Sequence, residues 1–474
     1  MAPDETAFRA GLIAAVRDGG ERPAVITTDR VLSYRTLDRE SDGAAGALVR
    51  AGITTGAVVT LAMPNGWAWI VGYLAVLKSG AVLAPANSLL TPTEITALHR
   101  LTAPTTVLGH PSDLHHPAQA PRPNGIRPPA AACLLAHTSG TTGTPRTVVQ
   151  TEQALYAAVQ HWTRQRQEND VVATALPLAH TYGHLVAAST LQTHATLVLA
   201  DRFRPGELLA LIIRHRATII EGVPTMYARL LTHAPPGAIG HLRCLSSGQA
   251  VPDTLARRWR ERTGLPLIQS WGMTELSGPG LSFAPDRTAQ DGWAGHPAPG
   301  YELTLRPLTG ETSQEHGRGE ILVRGPGISP GSYDQCTGTT RLTDTDGWLH
   351  TGDVAEKNTD GCFRILDRRQ DVISSGGYNI YPGEVENALL LHPAVLATAV
   401  TGIPHHDLGE VPRAHVVPAP GHSADAETLL RHCHTYLADY KVPRSVVFCS
   451  SLPSTSSGKI RRDQLRHAPI RTPD

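Results

Sequence analysis

From residue 24 to about residue 200 the chain alternates short β-rich apolar runs with helical patterns, and nothing else in it restricts the possible architectures as strongly. Residues 58–62 and 196–200 read as buried strands, because an apolar run without polar alternation leaves no face for water. Residues 67–78 and 207–215 read as helices. Strands spaced by helices pair most readily in parallel, so the expected fold is α/β with largely parallel sheets. A length of 474 residues predicts several domains or subdomains with ample core.

A second unit begins near Arg368. Pro382 opens a helix at its first turn, where a missing N–H costs no bond; Val385, Ala388 and Leu389 form its apolar stripe, and Pro393 stops it. Strands at 395–400, 414–417 and 445–449 and a helix around 427–438 give about 100 residues, enough for a small domain. Residues 103–132 hold seven prolines with little periodicity and read as a surface loop.

Net charge is zero with 18% charged residues, which argues against a nucleic-acid or membrane-surface partner. There is no run of 18 apolar residues and no basic leader before an apolar core, so the expected location is cytoplasmic. Six cysteines (Cys133, Cys244, Cys336, Cys362, Cys433, Cys449) lack CxxC spacing and read as reduced and structural. Among 23 histidines are the pairs His115–His116 and His405–His406 and a triplet around Cys433. Neighbours on a helix or strand point apart, so none of these is expected to bind metal.

Residues 137–146, HTSGTTGTPR, combine hydroxyls, glycines and a closing cation. Such a loop offers hydroxyl and backbone N–H donors to a ligand rich in negative oxygens, most plausibly a triphosphate. It is not a Walker loop, since the spacing after Gly140 fails and no Lys-Ser/Thr pair follows.

Eight segments occur in the order typical of one known group: TSGTTGTPR (138–146), LPLAHTYG (176–183), SSGQAVP (246–252), QSWGMTE (269–275), GEILVRGP (319–326), LHTGD (349–353), FRILDRRQDVISSGGYNIYPGEVE (363–386) and LPSTSSGKIRR (452–462). Through them the chain resembles the adenylate-forming superfamily of acyl- and aryl-CoA synthetases, non-ribosomal adenylation domains and luciferases. The resemblance implies a large N-terminal domain (1–369) of layered sheets and helices in several subdomains. A small mobile α+β domain (370–474) would swing about Gln370. It also implies a two-step reaction, in which a carboxylate attacks the α-phosphate of MgATP and a thiol or amine then displaces AMP.

The first step forces anions together, at about 4 kcal/mol per unit pair at 4 Å and an effective dielectric near 20. Fixed positive charge must therefore be in place beforehand. By resemblance Lys459 bridges the carboxylate and the α-phosphate or ribose oxygen. Only four of 42 basic residues are lysines, which sets Lys459 apart. Thr274 matches a donor to the α-phosphate and Glu275 the magnesium carboxylate, as suits a hard cation that takes one carboxylate plus phosphate oxygens. Thr138, Ser139, Gly140, Thr141, Thr142, Gly143 and Arg146 would hold the β- and γ-phosphates. Gly248, Gln249 and Ala250 would line the adenine pocket. Trp271 stands at the usual tyrosine position, stacking on adenine, with Gly272, Met273 and Ile365 beside it and Met273 expected to pack. Asp353 would accept both ribose hydroxyls, and Arg368 would reach ribose or phosphate.

Arg146-Thr147 departs from the usual Lys-Gly: charge is retained as a planar fork, while the loop loses a flexible residue. Gly376 and Gly377 match a loop lining the thiol's approach. His180, Tyr182 and Gly183 resemble the HxxG element of CoA ligases, with His180 either edging the acid pocket or capping a helix. Ser270 replaces a common glycine and narrows the pocket floor. Together these favour a flat or small acid, aromatic or α,β-unsaturated, passed to CoA. The alternatives are loading of a carrier-protein phosphopantetheine, activation of an unusual nucleophile such as nitrite as in diazotases, and a non-catalytic nucleotide-binding regulator. A monomer or homodimer is expected. Lys459→Ala should abolish adenylation yet spare thioester synthesis from supplied acyl-adenylate; equal loss of both half-reactions in separate assays would refute the swinging-domain expectation.

Overall fold

The computed structural model describes residues 7–118, 126–138, 146–235, 237, 239–240, 242–285, 289–308, 317–454 and 460–466. Two seven-stranded sheets form the bulk of the large domain, which is mixed α/β. The first runs Leu267–Gln269, Arg243–Ser246, Ile219–Gly222, Val171–Thr174, Thr196–Leu199, Pro23–Ile26 and Val31–Ser33, parallel except for its last pair. The second runs Gly338–Thr340, Ser332–Asp334, Arg146–Thr151, Ala132–Thr138, Val82–Pro85, Val58–Leu61 and Thr106–Leu108, antiparallel in its first half and parallel in its second.

One apolar core joins both sheets. Val25, Leu197 and Ile219 from the first meet Val59, Leu83 and Leu134 from the second through Trp69, Trp162 and Leu185 on helices. Helix Trp67–Lys78 buries every residue from Ala68 to Leu77, which explains why its sequence is apolar all round instead of amphipathic. Full burial of each large apolar side chain contributes about 1.5–3 kcal/mol, so this helix is held by packing and not by propensity.

A four-stranded antiparallel sheet follows: Glu302–Arg306, Arg318–Arg324, Leu349–Lys357 and Phe363–Arg368. It shares a core with Trp271 and Leu276, and Trp271–Met273 pairs with Gly278–Ser282, which pairs with His296–Pro297, in a small antiparallel sheet. The last sheet, built from Ile373–Ser375, Tyr378–Ile380, Val395–His405, Gly409–Pro418 and Ser445–Phe448, has its own core of Ile373, Val385, Leu389, Val400, Val416, Leu429 and Cys433.

Two expectations need correcting. The stretch at 103–132 is not all loop: Thr106–Leu108 forms an edge strand and Pro111–Leu114 a 3-10 turn, because three apolar-compatible residues suffice to add a parallel partner. Nor are all cysteines structural, since Cys336 is exposed while Cys133, Cys244, Cys362 and Cys433 are buried.

Arg166 and Glu221 form an ion pair whose side chains are wholly buried. The Trp162 indole N–H donates to both Glu221 oxygens at 3.2 and 3.3 Å, and Arg166 Nε donates to Thr190 Oγ1 at 3.1 Å. Burial pushes the Glu221 carboxyl up and the Arg166 guanidinium down, and their mutual attraction opposes both shifts. Removing one partner strands the other, so Glu221→Ala should cost about 3–5 kcal/mol in chemical denaturation, whereas Glu221→Leu with Arg166→Met should lose much less.

Candidate active site

A cleft of about 2160 Å³ opens between the large domain and the last sheet. Thr138 ends one strand and Arg146 begins the next, and the two face each other in antiparallel register at the cleft wall. Ser139, Gly140, Thr141, Thr142 and Gly143 lie outside the described residues, as does Lys459. The flanks of the latter segment do reach the cleft: Ser454 and Ile460 pair across it and both line the wall. Thr147 is buried, its hydroxyl 3.3 Å from His137 Nδ1 across the strand pair, so the residue replacing the usual glycine serves the sheet.

Thr274 and Glu275 sit on a one-turn 3-10 helix, Thr274–Leu276, at the cleft. Gln150, fully buried, donates to Thr181 Oγ1 at 3.3 Å and to the Thr274 carbonyl at 3.1 Å, and the Thr181 hydroxyl donates to Thr274 Oγ1 at 3.3 Å. A lone glutamine before a helix carried no motif signal, so this support was not anticipated. The Ser329 N–H donates to the Glu275 carbonyl at 2.8 Å, fixing the turn.

On the opposite side Asp353 and Arg368 are register partners in adjacent strands, with Arg368 Nε 2.6 Å from Asp353 Oδ1. The other oxygen of Asp353 accepts from the Trp271 indole N–H at 2.9 Å. Ile365, Gly272 and Met273 line the same wall, and Met273 also packs on the local core as expected. Gly248, Gln249 and Ala250 follow strand Arg243–Ser246 and line the cleft, where Gly248 takes a left-handed φ of 85°. Gln269 Oε1 accepts from the Val251 N–H at 2.7 Å and so holds this turn against the Trp271 segment.

The pocket side carries His180, Tyr182, Gly183 and Ser270. His180 stands at the N-cap of helix Thr181–Gln192, but its side chain does not cap; Nε2 lies 3.4 Å from Asn87 Nδ2. The ring therefore does not cap this helix, and it lines the cleft. The Tyr182 phenol donates to the Leu245 carbonyl at 3.3 Å, and its ring meets Trp162 edge-on at 6.2 Å. Gly183 is needed for close approach, since a Cβ there would lie 2.2 Å from the Pro177 carbonyl oxygen. Ser270 is buried and its Oγ finds no partner among the described residues.

Gly376 and Gly377 are not among the described residues that line the cleft. They turn an exposed hairpin between Ile373–Ser375 and Tyr378–Ile380, tied by the Gly376 N–H to the Leu408 carbonyl at 2.8 Å. That bond holds the hairpin beside the 405–409 turn, and Tyr381, Gly383 and Asn387 face the cleft instead. His405 and His406 also depart from expectation: at this turn their rings stack at 4.7 Å, and with Asp407 they bring three donors within ligating proximity. The His405 Nδ1 there accepts from the Asp407 and Leu408 N–H groups, which accounts for the arrangement as a turn.

The juncture of the two domains holds a charge cluster that motif reading missed. Arg462 Nη2 bonds both Glu386 oxygens at 2.7 and 2.9 Å, while its other terminal nitrogen lies 3.9 Å from Asp367 and 3.8 Å from Asp371. Arg466 reaches Asp371 at 3.0 Å and the Gln370 carbonyl at 2.9 Å. Asp367 accepts the Gly383 N–H at 2.8 Å, in the first turn of helix Pro382–Leu390. The signal was present as arginines three and seven places after Lys459, overshadowed by the lysine itself.

The chain matches the AMP-binding enzyme family over residues 13–127 and 111–333, and the AMP-binding enzyme C-terminal domain over residues 384–459. It is 35% identical to a feruloyl-CoA synthase of Amycolatopsis sp, over 95% of either chain. Among solved structures it is similar to ATP-bound MatB from Rhodopseudomonas palustris, with a TM-score of 0.85 and 28% identity over 96% of this chain and 98% of that one. It is similar also to the o-succinylbenzoate CoA synthetase MenE from Bacillus subtilis in complex with its acyl-adenylate intermediate, with a TM-score of 0.84 and 29% identity over 97% and 98%.

Asp367 makes the domain juncture responsive to pH. Burial pushes its carboxyl up to about 6, and Arg462, drawn chiefly to Glu386, offsets only part of this. Below the ordinary aspartate value both folded and unfolded chains hold the proton and nothing is lost. As pH rises the unfolded chain ionises first, so stability is lost between about pH 4 and pH 6. Asp367→Asn keeps an acceptor for Gly383 but cannot ionise. Its stability relative to the parent should improve by roughly 3 kcal/mol across that window and then level off; a constant difference in denaturation from pH 4 to 7 would contradict this.

Proposed function

The chain belongs to the AMP-binding enzyme family, and on that premise we propose that it activates an aromatic or α,β-unsaturated carboxylic acid and passes the acyl group to coenzyme A. At the coarser level it is an AMP-forming acid–thiol ligase that uses ATP. In the first step a carboxylate oxygen bonds to the α-phosphorus of ATP, the α–β P–O bond breaks and pyrophosphate leaves. In the second the thiol sulfur bonds to the acyl carbon, the bond to AMP breaks and the thiol proton is released.

The observation that carries this reading is convergence. Thr138, Arg146, Trp271, Thr274, Glu275, Asp353 and Arg368 come from three different sheets and the loop between them, yet line one cleft. Ser454 and Ile460 bring the ends of the Lys459 segment to the same space, which favours this arrangement as that of the first step. In this reading Asp353 receives the ribose hydroxyls, Arg146 and Thr138 the terminal phosphates, and Thr274 the α-phosphate. Glu275 suits a magnesium ion, because it brings a half-buried carboxylate next to Thr274 to the cleft wall, and such a cation completes its shell with phosphate oxygens and water. Bound, the metal would neutralise phosphate charge.

The acid would lie on the part of the cleft wall that carries Tyr182, Val223, Gly248 and Ser270, an aromatic ring beside small residues. A relative named feruloyl-CoA synthase supports an aromatic, unsaturated acid. Gly376 and Gly377 would serve the thiol only after the small domain turns about Gln370. Among the described residues no helix is long and apolar enough to cross a membrane.

Pyrophosphate release across a panel of acids, with and without CoA, a carrier protein or nitrite, tests the proposal. Release should depend on an aromatic or unsaturated acid and be followed by CoA consumption and thioester formation. Release indifferent to CoA but answered by a carrier protein or nitrite would reassign the acceptor, and ATP binding without turnover would refute the enzymatic reading.

A further inference from the structure

We infer that Trp271 is a positioning residue that holds Asp353 in the orientation needed to receive a ribose, and that Gly280 forms part of the same device. This rests on the reading of Asp353 as the ribose carboxylate. Trp271 and Asp353 are 7% and 6% exposed, so a polar atom of either must find a partner inside the protein. The indole nitrogen can only donate, and its single N–H is spent on Asp353 Oδ2 at 2.9 Å. Arg368 Nε engages Oδ1 at 2.6 Å. One donor on each oxygen fixes the plane of the carboxylate. Each oxygen retains a further lone pair, and two acceptors at a set spacing match two vicinal hydroxyls. A carboxylate ordered beforehand does not lose that freedom on binding.

The opposite edge of the indole explains how it is aimed. A Cβ placed on Gly280 would lie 2.8 Å from Trp271 Cζ3, 3.3 Å from Cε3 and 3.0 Å from Leu276 Cδ1. The six-membered ring thus occupies space that only glycine leaves open, with the five-membered ring and its N–H turned toward Asp353. A phenylalanine at position 271 would keep a ring and offer Asp353 no donor. The wider ring, the missing side chain at 280 and the bond to Asp353 are three parts of one arrangement.

Calorimetric titration with AMP, 2′-deoxy-AMP and 3′-deoxy-AMP tests this without knowledge of the acid. The parent protein should favour AMP over each deoxy analogue by about tenfold. Trp271→Phe keeps a ring and removes the donor, and Gly280→Ala keeps the donor and displaces the ring. In both, AMP should weaken about tenfold while the deoxy analogues change less than about twofold, so that the preference collapses. In an Asp353→Asn background Trp271→Phe should no longer alter the ratio. Equal weakening of all three nucleotides would mean that Trp271 only stacks or packs, and would overturn the inference. A parent protein that binds AMP and its deoxy analogues alike would instead remove the ribose role of Asp353, and this inference with it. Should Gly280→Ala fail to fold, Trp271→Phe decides alone.

Discussion

Strand Phe363–Arg368 carries two obligations on successive residues. Side chains alternate across a strand, so Arg368 turns to its register partner Asp353 at the cleft while Asp367 turns to helix Pro382–Leu390 and Arg462. The cleft wall and the contact with helix Pro382–Leu390 are thereby built on the same strand end, one residue apart. Anything that displaces this strand alters both. Glu320, on strand Arg318–Arg324 beyond the intervening strand Leu349–Lys357, reinforces it, bonded to Arg306 at 2.6 Å, to Arg369 at 3.0 Å and to the Gly352 N–H at 3.2 Å, and these donors hold its carboxyl below the usual range against the effect of burial.

Charge is managed differently behind Tyr182 on the cleft wall. Arg166 and Glu221 are sealed from water and neutralise each other, and their value to the site is geometric. Glu221 fixes the Trp162 indole, and Trp162 meets the ring of Tyr182. In a low-dielectric interior such a network is rigid only when its members are paired, which explains the investment of four hydrogen-bonding groups behind one pocket wall. At the domain juncture the cluster of Asp367, Asp371, Glu386, Arg462 and Arg466 is partly open to the cleft, a setting in which pairs can separate if the small domain turns.

How legible each part was follows from the range of the forces involved. The helix at 67–78 and the strands at 58–62 and 196–200 were readable to within a residue, because full burial writes itself into unbroken apolar runs. The edge strand Thr106–Leu108 was not, since its pairing is with Val59–Leu61 and its own three residues carry little pattern. Asp353, Trp271 and Thr274 each stand in a short segment that is legible by itself, and the structure brings all three to one cleft. Their mutual bonds were not legible, because Trp271 and Asp353 are 82 positions apart and no local pattern links an indole to a carboxylate. The 405–409 turn misled for a related reason: the rule that neighbours point apart holds within strands and fails where the chain reverses.

The amino-acid sequence by itself determined the layered α/β class and the family, since these depend on periodicity and on chemically exacting short segments. Only the tertiary structure decided which groups meet: Trp271 with Asp353, Arg462 with Glu386, Gln150 with Thr274, and the Gly376–Gly377 hairpin with Leu408 away from the cleft. Periodicity is a local consequence of backbone geometry, whereas a hydrogen bond between distant residues exists only once the sheets have packed and excluded water from the space between them.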